Sequence, residues 1–414
     1  MRTSSPARRS RVAGALAVLF AAALLTAPVG PAAAAAPWAG TACGATAGLL
    51  DGAPVATLRP GAGIRVRAWR GSNPRGEPVQ VTVTEADLRL ARPAVAAGTR
   101  FGAASRTTDL TAAERGGLAG LNGDWFGYDL AGRAVPVGPQ VRGGRVDLLP
   151  YGHSRFVGVG ADGRPRTGTL HASGTVVLPA RAGIAGPRRL RVTAVNPLGA
   201  APTGVAVVTS YLWSAGTARA RAGWEVAVRD GRVVASGRRV RDRVRDRVPL
   251  RARGVLVVAW GAAPTAGLRS LRVGDRVAVS WAARAQDGTR VVEAVGSGAA
   301  VLAGGRVTAA CTGAGARSTG RALVGWDGRG RIWFVTVGSG GASRPVGRIG
   351  LTYAQTAVIA RRLGARDAVL VDGGGSATVA VRVRRGASTV VVRVDAPAAA
   401  TQRPVPNALV LVRR

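Results

Sequence analysis

The stretch Ala368-Val-Leu-Val-Asp-Gly-Gly-Gly-Ser-Ala-Thr-Val-Ala-Val381 runs from an apolar segment through a carboxylate and three glycines into a second apolar segment. Ala368–Val371 reads as a buried strand and Thr378–Val383 as another, so the glycines join strand to strand. That connection argues against a dinucleotide-binding or phosphate loop, since both of those open a helix. It leaves Asp372 at a strand end, followed by Gly373, Gly374, Gly375 and Ser376, where side chains are nearly absent. Glycine admits positive φ and close approach of a ligand. Consecutive N–H groups in such a turn can form a nest for an anionic oxygen.

The rest of the chain follows the same habit. Gly 60 and Pro 23 in 414 residues, with few long helical patterns, predict a strand-rich and turn-rich protein. The expected fold class is α+β: a mixed β-sheet catalytic core with few helices, interrupted by a β-rich middle region. Five segments follow from the patterning: a signal peptide over 1–36, a leader over 37–78, a first core segment over 79–154, the β-rich region over 155–295, and a second core segment over 296–414. The leader shows one possible strand at Ile64–Trp69. Val79–Thr84 alternates with period two, as a half-buried strand does. Thr111-Ala-Ala-Glu114 has the form of a capping box opening a short helix. Asp327-Gly-Arg-Gly330 reads as a hairpin turn. Thr352-Tyr-Ala-Gln355 reads as a capping box, and Gly364 as the glycine that ends the helix. The run Arg238–Arg247 alternates in sign and reads as a solvated edge or loop.

The net charge is +37, and all 58 basic residues are arginine. Without lysine there is no Walker-type phosphate loop and no Schiff base. The arginines are spread along the chain, not clustered with aromatics as a base-stacking platform requires, so nucleic acid is not an expected partner. Arg2, Arg8, Arg9 and Arg11 precede the apolar run Val12–Ala27 and the alanines at 32–36, the pattern of a cleaved export signal. The expected location is secreted or extracytoplasmic, with no membrane span after cleavage. Cys43 and Cys311 then read as a disulfide, with two unpaired thiols as the alternative. No cofactor or metal is expected; His153 and His171 are the only histidines and neither sits in a motif.

Four patches share a character: Asn122-Gly-Asp-Trp-Phe126, the glycine turns at 296–305, Arg321, and Asp372–Ser376. Together they supply two carboxylates, Asp124 and Asp372, with a guanidinium and a glycine-rich nest. Cleavage of an anionic glycoside needs such a set: one carboxyl as acid or base, a second as base, nucleophile or charge stabiliser, and donors for a phosphate. Ser376 is not a nucleophile elbow, since its surroundings lack G-x-S-x-G and lead into a strand.

Leu121-Asn-Gly-Asp-Trp-Phe126, Val371-Asp-Gly-Gly-Gly-Ser-Ala-Thr378 and Arg403-Pro-Val-Pro-Asn-Ala-Leu409 resemble the phosphodiester glycosidase family over about residues 80–155 and 295–414. The resemblance implies hydrolysis of a sugar-1-phosphodiester, such as a GlcNAc-1-phosphodiester, to free sugar and a phosphomonoester. It implies Asp372 and Asp124 as catalytic carboxylates. Asn122, Arg321, Gly373, Gly374, Gly375, Ser376 and Asn407 are implied to bind substrate. The chain departs from the family's pattern in four places: Gly320-Arg-Ala-Leu-Val-Gly325 keeps the Arg but loses its flanking Pro and Thr, Gly338-Ser-Gly340 replaces an Asp-Gly-Arg, Arg348 a Ser, and Trp125 a Phe. The expected function is a secreted glycosidase acting on an anionic glycan or cell-envelope polymer. The alternative is a non-catalytic Arg-rich envelope protein that binds anionic glycopolymer. The oligomeric state is not encoded in these motifs.

Overall fold

Hairpins dominate the architecture because the connections are short. Asp327-Gly-Arg-Gly330 turns Arg321–Trp326 back onto Arg331–Ser339, and Asp327 Oδ1 accepts from the Arg329 and Arg331 amides at 2.8 Å each. A parallel pair would need a crossover of a dozen residues or more. In this computed structural model, residues 46, 48–98, 101–129, 132–149, 154–180, 188–197, 203–213, 223–238, 254–310, 312–339, 349–385, 388–395 and 401–414 are described. The signal segment, Cys43, Cys311, His153, Gly340, Arg348 and the run 239–247 lie outside them.

Four α-helices and many strands are present among the described residues. An eight-stranded sheet runs in the order 56–61, 64–72, 78–87, 331–339, 321–326, 367–371, 300–303, 306–307. A five-stranded sheet runs 388–393, 379–385, 117–122, 407–413, 91–97. Every pairing in both is antiparallel, so the expected mixed core sheet is corrected to antiparallel. The parallel pair among the described strands, Arg189–Val195 with Gly204–Val208, belongs to the middle region.

The two core sheets face each other. Ala322, Val324, Val369, Val371, Phe334 and Ala86 meet Leu121, Val379, Val381, Leu409 and Leu411 between them. The opposite face of the larger sheet, with Leu323, Leu370, Val81 and Val335, packs on Ala357, Ile359 and Ala360 of the helix Tyr353–Arg362. The outer face of the smaller sheet packs on Leu110 of the helix Thr107–Ala113. The result is helix, sheet, sheet, helix. Strand Pro78–Asp87 is therefore buried on both faces, not one. Its threonines Thr82 and Thr84 face the second sheet where water was expected.

The capping box at Thr352–Gln355 forms as read, and Gly364 takes φ +96 at the helix end. The box at Thr111–Glu114 does not form. That helix already starts at Thr107, where Arg106 pairs with Asp109, and Thr111 Oγ1 donates back to Thr107 O at 2.7 Å. Residues 56–72, inside the leader segment, form two strands of the large sheet.

Residues 40–414 make one unit. A second five-stranded sheet, ordered 165–169, 155–160, 291–296, 140–142, 145–148, serves two cores. Val157 and Val295 join the inter-sheet core, while Phe156 and Ala294, one residue earlier, join the core of the seven-stranded middle sheet. Strand alternation thus fastens the middle region to the two core sheets. It also delivers Gly296, at the end of Val291–Gly296, to Asp124.

Candidate active site

Register brings Arg321 and Asp372 together. Ala322 pairs with Val371 on neighbouring antiparallel strands, so the next residues outward, Arg321 and Asp372, emerge side by side at the sheet end. Both share the face of Leu323 and Leu370, the helix side. There they line a cavity of about 250 Å³ with Trp125, Tyr353, Leu370, Gly373 and Gly374.

Arg321 is nearly buried. Its Nε donates to Leu351 O at 2.9 Å, its Nη2 donates to Arg317 O, and its guanidinium carbon lies 4.3 Å from the Tyr353 ring centroid. No carboxylate is within ion-pair distance of it among the described residues, and burial lowers its pKa. A desolvated, fixed cation facing a cavity is suited to an anionic ligand.

The Asp372 carboxyl is raised to about 6, mainly by burial; Ser376, the Arg403 guanidinium and the Gly373 amide each work against that rise. Ser376 is fully buried, and its Oγ makes no hydrogen bond of ordinary geometry, though it lies near enough to favour the Asp372 carboxylate. Arg403 reaches over the turn, with Nη2 3.2 Å from where a Gly375 side chain would begin.

The glycine turn is a short 3-10 turn, Gly374–Ser376. Three of its amides meet protein carbonyls: Gly374 N on Gly320 O at 2.8 Å, Ser376 N on Gly373 O at 3.1 Å, Ala377 N on Gly374 O at 3.3 Å. Those three are not open to an anion, which narrows the nest read from the sequence. The glycines serve close approach instead. A Cβ on Gly373 would sit 2.7 Å from Gly320 O, and Gly374 has φ +58.

Asp124 lies outside the cavity lining, buried against glycine. Its Oδ2 accepts from Gly138 N at 2.5 Å, and a Cβ on Gly296 would fall 2.3 Å from Oδ1. Burial raises its pKa to about 8; the Gly138 amide opposes this, and the charge of Asp372 adds to it. At neutral pH Asp372 is largely ionised while Asp124 keeps its proton, a division set by environment alone.

Asn122 and Asn407 are fully buried, and their amides are engaged with the protein. Asn122 donates to Asp372 O at 2.6 Å and accepts from Thr378 N at 3.0 Å, clamping both ends of the glycine turn. Asn407 accepts from Asp124 N at 2.9 Å and donates to Gln140 Oε1 at 2.9 Å. They brace the residues around the cavity and are not in its lining. Trp125, noted in the sequence as a departure from the family's Phe, and Tyr353 do line it, and neither was named there as a site residue. Trp125 does follow Asp124 directly, and Tyr353 sits inside the capping box that was read.

Residues 214–412 match the phosphodiester glycosidase family. The matched stretch carries Arg321, Asp372–Ser376, Arg403 and Asn407; it begins inside the middle region and excludes Asn122 and Asp124. No curated protein matches the sequence. Among solved structures, a hypothetical protein from Synechocystis aligns with TM-score 0.64 at 20% identity over 88% of this chain, which spans 64% of that protein's length. A Burkholderia pseudomallei K96243 protein aligns with TM-score 0.57 at 22% identity, covering 81% of this chain and 74% of its own. The zebrafish N-acetylglucosamine-1-phosphodiester alpha-N-acetylglucosaminidase catalytic domain aligns with TM-score 0.43 at 12% identity, over 87% of each chain. The first two show a shared fold.

Proposed function

We propose that this chain is a secreted hydrolase that splits a sugar-1-phosphodiester, such as a GlcNAc-1-phosphodiester, on an anionic glycan or cell-envelope polymer. The observation that carries the reading is the pairing of a buried Arg321, free of any carboxylate partner among the described residues, with Asp372 in one cavity. The family match over residues 214–412 supports the reaction class. The export pattern in residues 1–36 supports the location.

The division of labour follows from charge. Arg321 holds the phosphodiester anion and then the phosphomonoester that leaves. Asp372, ionised above about pH 6, faces the anomeric carbon or the water that attacks it. The C1–O bond breaks with its electron pair on the bridging oxygen, which departs as part of the phosphomonoester. Such a leaving group needs little help from an acid, so one carboxylate in the cavity suffices. Trp125 and Tyr353 offer aromatic faces to the sugar. The cavity is small beside the roughly 300–1,000 Å³ of common ligand pockets, which favours one terminal sugar.

The purified chain, incubated with the methyl phosphodiester of GlcNAc-1-phosphate, is expected to release free GlcNAc, and Asp372→Asn to abolish release with folding intact. Undiminished release by Asp372→Asn removes Asp372 from the mechanism. A second reading, binding without turnover, draws on the fact that only one of the two carboxylates lines the cavity. It predicts no release from any sugar phosphodiester, with salt-sensitive retention of anionic glycopolymer.

A further inference from the structure

A buried hydrogen-bond chain leads away from Asp124 toward the middle region. The Asp124 amide donates to Asn407 Oδ1 at 2.9 Å. Asn407 Nδ2 donates to Gln140 Oε1 at 2.9 Å. Gln140 Nε2 donates to Asp147 Oδ2 at 3.1 Å and to Tyr211 Oη at 3.0 Å. Asn407 and Gln140 are fully buried, Asp147 is 1% exposed and Tyr211 9%. Asp147 is held in turn by Arg142 Nε and by Arg145 Nε, the latter at 2.9 Å. Asn196, from the middle sheet, donates to Asp147 O at 2.6 Å.

The direction of this chain is not arbitrary. A carboxylate between two guanidiniums can only accept, so the Gln140 edge that meets it must be the NH₂. The other Gln140 edge is then the carbonyl, so Asn407 must present its NH₂ there. Asn407 is thereby left with its carbonyl toward the Asp124 amide. Each amide has its flip decided by the one before it, and the sequence of decisions starts at Asp147.

We propose that Gln140 and Asn407 are positioning residues for Asp124, an amide relay whose polarity is set by the Asp147–Arg142–Arg145 cluster. The relay fixes the Asp124 backbone. That backbone then aims the carboxyl into the cradle of Gly138 and Gly296 instead of into the cavity. Its other anchor, Tyr211, lies in the helix Ser210–Trp213 of the middle region, so that region takes part in building the site. Gly123 leaves no alternative route. A side chain there would meet Asn407 Oδ1 at 2.1 Å, so the loop and the Asn407 amide are in closest contact.

The relay is tested by amide hydrogen exchange at Asp124 in the full chain, a readout that does not depend on any enzymatic activity. Gln140→Leu removes both the acceptor and the donor. Gln140→Glu keeps the shape but sets an acceptor against Asp147. Both are expected to speed exchange at Asp124 by about tenfold or more, while the amides of strand Asp367–Val371 stay protected. The double variant Gln140→Glu/Asp147→Asn reverses the bond, with an acceptor at 140 and a donor at 147, and is expected to restore protection. Unchanged exchange at Asp124 in Gln140→Leu overturns the proposal. So does a double variant no better protected than Gln140→Glu alone. A parallel assay rests on the glycosidase reading: Asp372 N donates to Gly123 O at 2.9 Å and Trp125 lines the cavity, so loosening the Asp124 backbone between them should lower kcat on the GlcNAc phosphodiester in the two single variants, with KM within about twofold. No turnover by the unmutated chain counts against that reading, and the exchange result still decides the relay.

Discussion

Asp372 and Arg321 show how neighbours shift the ionisation of two side chains. Burial lifts Asp372 to about 6, against the pull of Ser376, Arg403 and the Gly373 amide. Turnover should therefore rise as pH increases through about 6, because the carboxylate is the working form. A pH–rate profile flat from 5 to 7 would contradict that role. Arg321→Lys keeps the charge but loses the fork that spans Leu351 O and Arg317 O and the stacking on Tyr353. It should cost about tenfold or more in kcat/KM, measured on the same phosphodiester. The two nominated carboxylates were legible from residue type and from the glycines beside them. The roles of Asn122 and Asn407 were not. An amide reads the same whether it meets a ligand or a backbone carbonyl, and the partners here lie some 250 or more residues away in sequence.

At the scale of elements, the glycine turn and the helix beside it carry the site. Gly373→Ala would push a Cβ against Gly320 O, a backbone atom that cannot swing aside. A loss of about 1–3 kcal/mol is expected in urea unfolding. Gly328→Ala, in the hairpin turn with open space and no positive φ, should be close to neutral in the same measurement. Thr352→Ala removes the hydroxyl that accepts from Gln355 N and should cost about 1 kcal/mol. Because Tyr353 begins that helix and stacks on Arg321, the same variant should also weaken anion binding. The helix Tyr353–Arg362, the hairpin around Asp327–Gly330 and the strand into Asp372 were all readable, since each is specified by neighbours within a few residues. The helix at Thr107–Ala113 was read one turn late. Ser/Thr-x-x-Glu marks a helix start only if the preceding turn is not already helical, and the Arg106–Asp109 pair made it so.

At the scale of the molecule, burial of carboxyls sets the response to pH. The Asp124 carboxyl titrates near 3.8 when unfolded and at about 8 when folded. Between those values the folded chain binds a proton that the unfolded chain has released, so stability falls as pH rises across that window and levels off above it. Glu293, buried between the Val95 and Gly143 amides and raised from 4.5 to about 7, acts in the same sense over a narrower span. Tm is expected to decline from pH 5 to pH 8, and Asp124→Asn to flatten the upper part of that decline. A Tm that climbs over this range in the unmutated chain would show that Asp124 is not buried as described. No helix among the described residues is long and apolar enough to cross a membrane.

The sequence by itself determined the local grammar: period-two strands, hairpin turns, one well-capped helix, and a carboxylate before three glycines. These are short-range consequences of φ/ψ preference and side-chain alternation. Tertiary structure alone decided which faces are dry and which groups meet. The antiparallel pairing of Ala322 with Val371 set Arg321 beside Asp372. The second sheet buried Thr82 and Thr84. The end of Val291–Gly296 enclosed Asp124 and kept it out of the cavity. The glycine turn proved to be a place where backbones pass close, with a buried guanidinium beside it. Register and burial depend on contacts between residues hundreds of positions apart, and a pattern read along one strand does not contain them.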